Sequence, residues 1–108
     1  MGRIRIRVAP KEDRTADGIV FASKREMVRY SELRMLEQSK IISDLTLQPE
    51  FPLMVNGVIV CKYRADFRYR DQTNRVVIED SKGMKTEIYK IKAKLFHAVF
   101  PHLRIVEV

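Results

Sequence analysis

The chain has 108 residues, which is one domain's worth: enough for one hydrophobic core and too little for a second independent unit. Apolar residues make up 45% and charged residues of both signs 32%, which excludes a disordered tail, and no apolar run nears the roughly 18 residues a membrane span needs. The net charge of +7 and pI of about 9.8 point to an anionic partner, nucleic acid before a membrane surface.

The N-terminus alternates Arg and Ile and carries no apolar block of the signal-peptide kind. The lone cysteine, Cys61, has no internal disulfide partner, which fits a reducing cytoplasm. Its apolar neighbours predict a buried small thiol, not a nucleophile. His97 and His102 have no partner at zinc-ligand spacing and read as surface or helix-end residues.

Residues 3–8 place Arg3, Arg5 and Arg7 on one face and Ile4, Ile6 and Val8 on the other, the period of a half-wet strand. This is either a charge-protected edge or a basic arm for phosphates. Residues 10–18 are polar and read as a loop. Ser23-Lys24-Arg25-Glu26 is a capping box and opens a helix running to about Ser39. Met27, Tyr30, Leu33 and Leu36 give that helix its core face. Residues 44–48 form a short strand stopped by Pro49. Residues 51–60 form a hairpin around Asn56-Gly57, a type I′ turn signal. Residues 61–70 continue as one strand, 71–74 turn, and 75–80 make the next strand, apolar enough for a central position. A second helix covers about 86–100, with Ile88, Ile91, Leu95 and Ala98 as its core face and Pro101 as its stop. Residues 103–108 are a final strand. This order predicts an α/β (α+β) domain: a mixed central sheet flanked by helices, in three layers.

The chemistry gathers on the strands around the 71–74 turn. Strand alternation puts Lys62, Arg64, Asp66, Arg68 and Arg70 on one face, so Asp66 is a lone acid in a row of cations. A solvated cross-strand ion pair is the plainest reading of such an acid. On the next strand Asp80 and Lys82 share a face, while Glu79 and Ser81 share the other. The turn makes the two strands antiparallel neighbours, so Asp66 and Asp80 meet near one end of the sheet. Two close carboxylates repel unless a cation lies between them, and hard oxygen donors suit Mg²⁺ or Mn²⁺ rather than zinc. Lys82 beside such a metal can orient a water or stabilise a crowded phosphate, and Gly83 lets a backbone approach.

Asp66 in Arg64-Ala65-Asp66-Phe67, followed fourteen residues later by Asp80-Ser81-Lys82-Gly83 in Val77-Ile78-Glu79-Asp80-Ser81-Lys82-Gly83, resembles the signature of the PD-(D/E)XK nuclease superfamily. The helix opened by Phe21-Ala22-Ser23-Lys24-Arg25-Glu26 looks like the superfamily's first helix, which often supplies a further acid. Ala65 stands where the superfamily name has Pro. The chain is similar to short phage-encoded endonucleases of that superfamily, and in layout to the phage endonuclease I type of Holliday-junction resolvase. The resemblance runs over roughly 18–108, leaving 1–17 as an N-terminal strand, arm and loop of a single nuclease domain. It implies a restriction-endonuclease-like αβββαβ core and a metal-dependent DNA endonuclease, Mg²⁺ or Mn²⁺ held by Asp66, Asp80 and the Ser81 carbonyl. It also implies catalytic roles for Asp66, Asp80, Lys82 and Glu26, with Glu26 joining the metal set. Glu26 has a rival role as the third residue of the capping box, and Glu79 is the rival of Asp80 should a bulge shift the strand. Gln48, before Pro49, joins the candidates by the same resemblance, though a turn explains it too.

Arg64, Arg68, Arg70, Lys85, Lys90, Lys92 and Lys94 are the expected DNA-gripping cations, and Tyr89 can reach the site from the helix's first turn. No helix-turn-helix or zinc-finger signature reads bases, so a branched DNA structure is the expected substrate. The apolar 53–60 hairpin suggests a homodimer. The expected setting is the cytoplasm, that of a bacterial host if the gene is phage or prophage borne. The alternative is a non-catalytic nucleic-acid-binding module, or a subunit of a phage recombination or packaging complex. A third possibility is a basic domain that binds another protein.

Overall fold

The computed structural model describes residues 8–81 and 85–108. The basic arm at 3–7, and Lys82 and Gly83 of the motif, lie outside the described residues. The architecture is a mixed sheet with one helix on each face.

A 3-10 turn, Lys11–Arg14, leads into a small hairpin of β1 (Thr15–Ala16) and β2 (Ile19–Val20). The sequence predicts a plain loop here. Asp17 and Gly18 have φ of 51° and 76°, the left-handed pair a two-residue turn requires, and Asp-Gly supplies it at low cost. The Tyr30 hydroxyl donates to the Asp17 carboxylate at 2.7 Å, tying the hairpin to the first helix.

That helix, α1 (Lys24–Gln38), starts where the capping box predicts: Ser23 Oγ accepts the Glu26 amide at 3.1 Å. Tyr30 and Leu33 are buried, with Met27 and Leu36 packed beside them. Then follow β3 (Ser43–Leu47), β4 (Glu50–Val55), β5 (Val58–Arg64), β6 (Phe67–Arg70) and β7 (Val76–Asp80). α2 (Glu87–Val99) and β8 (Ile105–Glu107) complete the order. The central sheet runs β3-β6-β7-β8. Its first three strands are antiparallel neighbours, while β7 and β8 are parallel. A parallel pair needs a crossover, and α2 provides it.

Two expectations need correction. Residues 61–70 are not one strand. Pro49 has no N–H to give a partner strand, and Gln48 takes a left-handed φ of 48°, so the ribbon bends there. Two backbone bonds still bridge the bend, Gln48 N–H to Asp66 O at 2.9 Å and Ala65 N–H to Pro49 O at 3.1 Å. Outside the bend, β4 and β5 pair as a hairpin of their own. Inside it, β3 and β6 join the central sheet. Ala65 therefore packs with Phe51, Leu53, Tyr63, Ile78 and Phe96 under α2, whereas Phe67 packs with Phe21, Tyr30, Leu33 and Tyr69 under α1.

The second correction is the core face of α2. Ile88 and Ile91 are 68% and 65% exposed, and Ala98 is exposed as well. Phe96 is fully buried, with Tyr89, Leu95, Val99 and Phe100 against the same cluster. Aliphatic and aromatic stripes compete on this helix. The aromatic one wins because the core offers ring partners: Phe96 lies 5.2 Å from Phe51 and 5.3 Å from both Tyr63 and Phe100, centroid to centroid.

Candidate active site

The bend and the central strand together build the site. In the β6–β7 register Phe67 faces Glu79, so Asp66 and Asp80 are the next residues out on each strand. The Asp66 amide donates to the Glu79 carbonyl at 3.1 Å, and the Asp66 carboxylate accepts the Ser81 amide at 2.7 Å. Asp66 thus holds the end of β7 in place. The β6–β7 register thus sets Asp66 and Asp80 side by side along the backbone, at the C-terminal end of the central strand.

Asp80 is wholly buried. Its side chain lies on the α2 face, where the Tyr63 hydroxyl donates to Oδ2. Its carbonyl accepts the Val108 amide at 3.1 Å. Tyr89 of α2 stacks near Tyr63, with ring centroids 6.4 Å apart. Burial first, then the nearby Asp80, pushes the Tyr63 phenol well above its ordinary range. Burial, then Asp80 and Glu107, raises Tyr89 in the same way, and Asp66 adds to it. Phenols kept protonated beside the buried Asp80 carboxylate are hydrogen-bond donors, not bases.

Glu79 lies on the opposite face, as alternation requires. Its carboxylate takes two hydrogen bonds from Arg29 of α1, at 2.7 and 2.6 Å, and one from the Tyr69 hydroxyl. With no bulge in this register, Glu79 turns to α1 and Arg29, and Asp80 to the α2 face and Tyr63. Glu26 is buried in the first turn of α1, one helical turn before Arg29. Its amide bonds Ser23. Among the described residues, no group of three or more His, Cys, Asp or Glu side chains is gathered closely enough to hold a metal. Glu26 is therefore not drawn into one cluster with Asp66 and Asp80. Gln48 is exposed and meets Asp66 through its backbone.

The two aspartates, Asp80 buried and Asp66 half-buried on the neighbouring strand, offer hard oxygen donors of the kind Mg²⁺ and Mn²⁺ take. On donor chemistry the pair fits such an ion.

The expected cations divide sharply. Arg64 and Lys92 line a groove of about 530 Å³ on the α2 side, with Lys62, Tyr63, Thr86, Ile88, Tyr89 and Glu50. Arg64 also pairs with Glu50 at 2.9 Å. Lys85 pairs with Glu107 at 2.5 Å, and Lys90 with Glu87 at 3.1 Å. Arg70 sits at the far end of β6, bound to Asp44 at 3.4 Å and to the Asn74 carbonyl at 3.2 Å. Arg68 and Lys94 are exposed. A second groove, about 610 Å³, runs along α1 and is lined by Lys24, Arg25, Val28, Arg29 and Glu32, with Ser81 and Val108. Sequence reasoning missed Lys24, Arg25 and Lys62. Position next to a capping box was the available signal for the first two, and strand alternation beside Tyr63 for the third.

Among the described residues, no helix is long and apolar enough to cross a membrane. A family model described as protein of unknown function (DUF1064) matches residues 10–108. No curated protein and no solved structure matches the chain.

Proposed function

We propose that this chain, which belongs to the DUF1064 family, hydrolyses DNA phosphodiester bonds in a divalent-metal-dependent reaction. The observation that carries the reading is the meeting of Asp66 and Asp80 at the end of the central strand of a protein with net charge +7. A wholly buried Asp80 beside a half-buried Asp66 in so basic a chain calls for a function, because desolvation penalises the buried carboxylate.

In this reading Asp66, Asp80 and the Ser81 carbonyl would hold Mg²⁺ or Mn²⁺, with Glu26 joining through a water and not in their cluster. When bound, such an ion would supply a water of lowered pKa and charge neutralisation at the phosphate. The chain's own residues bind and orient. Tyr63 fixes the Asp80 carboxylate through its hydroxyl. Asp66 fixes the strand end through the Ser81 amide. Lys82, two residues after Asp80 in sequence, orients the attacking water. The attacking water would form the new P–O bond and give up a proton to solvent as one ester P–O bond breaks, and the departing oxygen would take up a proton from solvent. Phosphates on either side of the broken bond follow the two cation-lined grooves, which both reach this strand end: Ser81 lines the α1 groove and Tyr63, the donor to Asp80, lines the α2 groove. Recognition through the backbone favours DNA shape over sequence, with branched DNA of the Holliday-junction type as the first substrate to try.

One observation favours the second reading, a nucleic-acid-binding module without catalysis. Asp66 and Asp80 each accept a hydrogen bond from the protein, the arrangement a structural acid would also show.

Cleavage of labelled duplex, nicked, flapped and four-way-junction DNA with Mg²⁺, Mn²⁺ or EDTA decides between them. The expected result is metal-dependent cutting that Asp80→Ala and Lys82→Ala abolish. Tight, salt-sensitive binding with no cutting by wild-type protein would overturn the nuclease and leave the binding module.

A further inference from the structure

The hairpin of β4 and β5 carries its buried side chains at its base. Leu53 is fully buried, and Phe51 and Tyr63 pack under α2. Its tip is different. Met54, Val55, Val58, Ile59 and Val60 are 49%, 41%, 63%, 51% and 58% exposed, all on either side of the Asn56-Gly57 turn. Hairpin tips are ordinarily polar, because both faces meet water. Residues 53–61 contain no charged side chain, in a chain where 32% of residues are charged.

Among the described residues, β4 and β5 pair with each other and with no further strand. A two-stranded hairpin is marginal by itself in water, and this one leaves its apolar end uncovered. We propose that the tip is the interface of a homodimer, in which two copies pack their 54–60 segments against each other around a two-fold axis.

Three features select a second copy as the occupant. The first is charge. Two chains of net charge +7 repel, and the uncharged tip is a surface they can share without setting cation against cation. The second is apolar area. Five large apolar side chains, each 41–63% exposed, stand together at one end of the hairpin, the composition of an interface core. The third is self-complementarity. An apolar patch with no hydrogen-bonding side chain beyond Asn56 meets its own copy without leaving a polar group unpaired, as a two-fold contact demands. A nucleic acid would find no cation there.

The contact is made by side chains rather than by adding strands. Leu53 pairs with Cys61 but Met54 pairs with Ile59, so Val60 is an extra residue that twists the edge away from a third strand. The interface is independent of the chemistry proposed at Asp66 and Asp80, and either can fail without the other.

Light scattering coupled to size exclusion, across protein concentrations from about 1 to 100 µM, tests the proposal. The expected result is twice the chain mass for wild type. Val58→Lys/Ile59→Lys and, separately, Val60→Lys should give the mass of one chain, with wild-type circular dichroism as proof of folding. A wild-type protein that stays at one chain's mass across the range would overturn the dimer and leave the tip to a foreign apolar partner. A dimer that persists in both folded variants would overturn the hairpin as its interface.

Discussion

Arg29 in α1 and Glu79 in β7 are joined side-on by two parallel hydrogen bonds, and the carboxylate end of that pair is 1% exposed. This pair pins the first helix to the central strand one residue before Asp80. Removing the guanidinium strands a buried carboxylate, which costs roughly 3 kcal/mol where a buried pair is broken. Arg29→Ala should therefore lower the midpoint of urea unfolding markedly, and adding Glu79→Gln should recover part of the loss. Cutting by the surviving folded fraction should need Asp80 and not Glu79: Asp80→Asn abolishes it, while Glu79→Gln leaves it within a few-fold of wild type. A Glu79→Gln enzyme that folds fully and does not cut would reverse the assignment of the two neighbouring acids.

The tyrosines carry a signature of their own. All four in the chain have raised pKa values: Tyr30 by burial and its bond to Asp17, Tyr63 by burial and Asp80, Tyr69 by burial and Glu79, and Tyr89 by burial and Asp80. Tyr69 is pushed up to about 12. A phenol with a raised native pKa holds its proton more tightly when folded, so it stabilises the fold below the unfolded value and loses that contribution as pH climbs through the native one. For Tyr69 the window runs from pH 10.0 to about 12. Absorbance at 295 nm should show almost no phenolate in native protein at pH 10, against about half ionisation in urea. Stability should fall across the window, less so in Tyr69→Phe. Half ionisation of the native protein at pH 10 would show that these rings are not buried as described.

The second helix gives a test of which residues hold the core. Phe96 is fully buried among Phe51, Tyr63 and Phe100, whereas Ala98, two positions on, faces solvent. Phe96→Ala should cost about 3–5 kcal/mol by chemical denaturation, as large-to-small changes in cores do. Ala98→Glu should change stability by less than about 0.5 kcal/mol. The opposite ranking would restore the aliphatic face that the sequence alone predicts.

What the sequence reveals and conceals follows from the range of each physical signal. The Ser23 cap, the Asn56-Gly57 turn and the central placement of 76–80 rest on short-range chemistry, and each is legible because few residue types serve it. The meeting of Asp66 and Asp80 was legible because a short turn fixes the register of two neighbouring strands. The bend at Ala65–Asp66 was not, since its cause lies sixteen to eighteen residues away, at Gln48 and Pro49 on the partner strand. The face of α2 was hidden for a similar reason. Ile88, Ile91 and Leu95 make as good a stripe as Tyr89, Phe96 and Phe100, and the arbiter is a cluster of rings from β4 and β5. The role of Glu79 was legible by alternation, but Arg29 as its partner was not, because they are fifty residues apart.

The two grooves rank the basic residues for DNA binding. Lys24 and Arg25 line one together with Ser81, which follows Asp80, and Lys62 and Lys92 line the other together with Tyr63, whose hydroxyl donates to Asp80. Lys90 is held by Glu87, and Arg70 lies at the far end of β6 with Asp44. A lysine that neutralises a phosphate releases a counterion, so each contact adds about 0.9 to the slope of log affinity against log salt. Lys24→Ala/Arg25→Ala and Lys62→Ala/Lys92→Ala should each weaken binding to a four-way junction across all sequences and lower that slope by about 1 to 2. Lys90→Ala/Arg70→Ala should leave both within error, as exposed cations already paired to carboxylates release little on binding. Fluorescence anisotropy from 50 to 300 mM NaCl, with EDTA present so that no strand is cut, measures affinity and slope together. Equal losses from all three pairs would mean a diffuse basic surface with no defined strand path. Losses confined to the Lys62/Lys92 pair would place the bound strand on the α2 side alone, and the scissile phosphate would then lie at the Tyr63 end of the site.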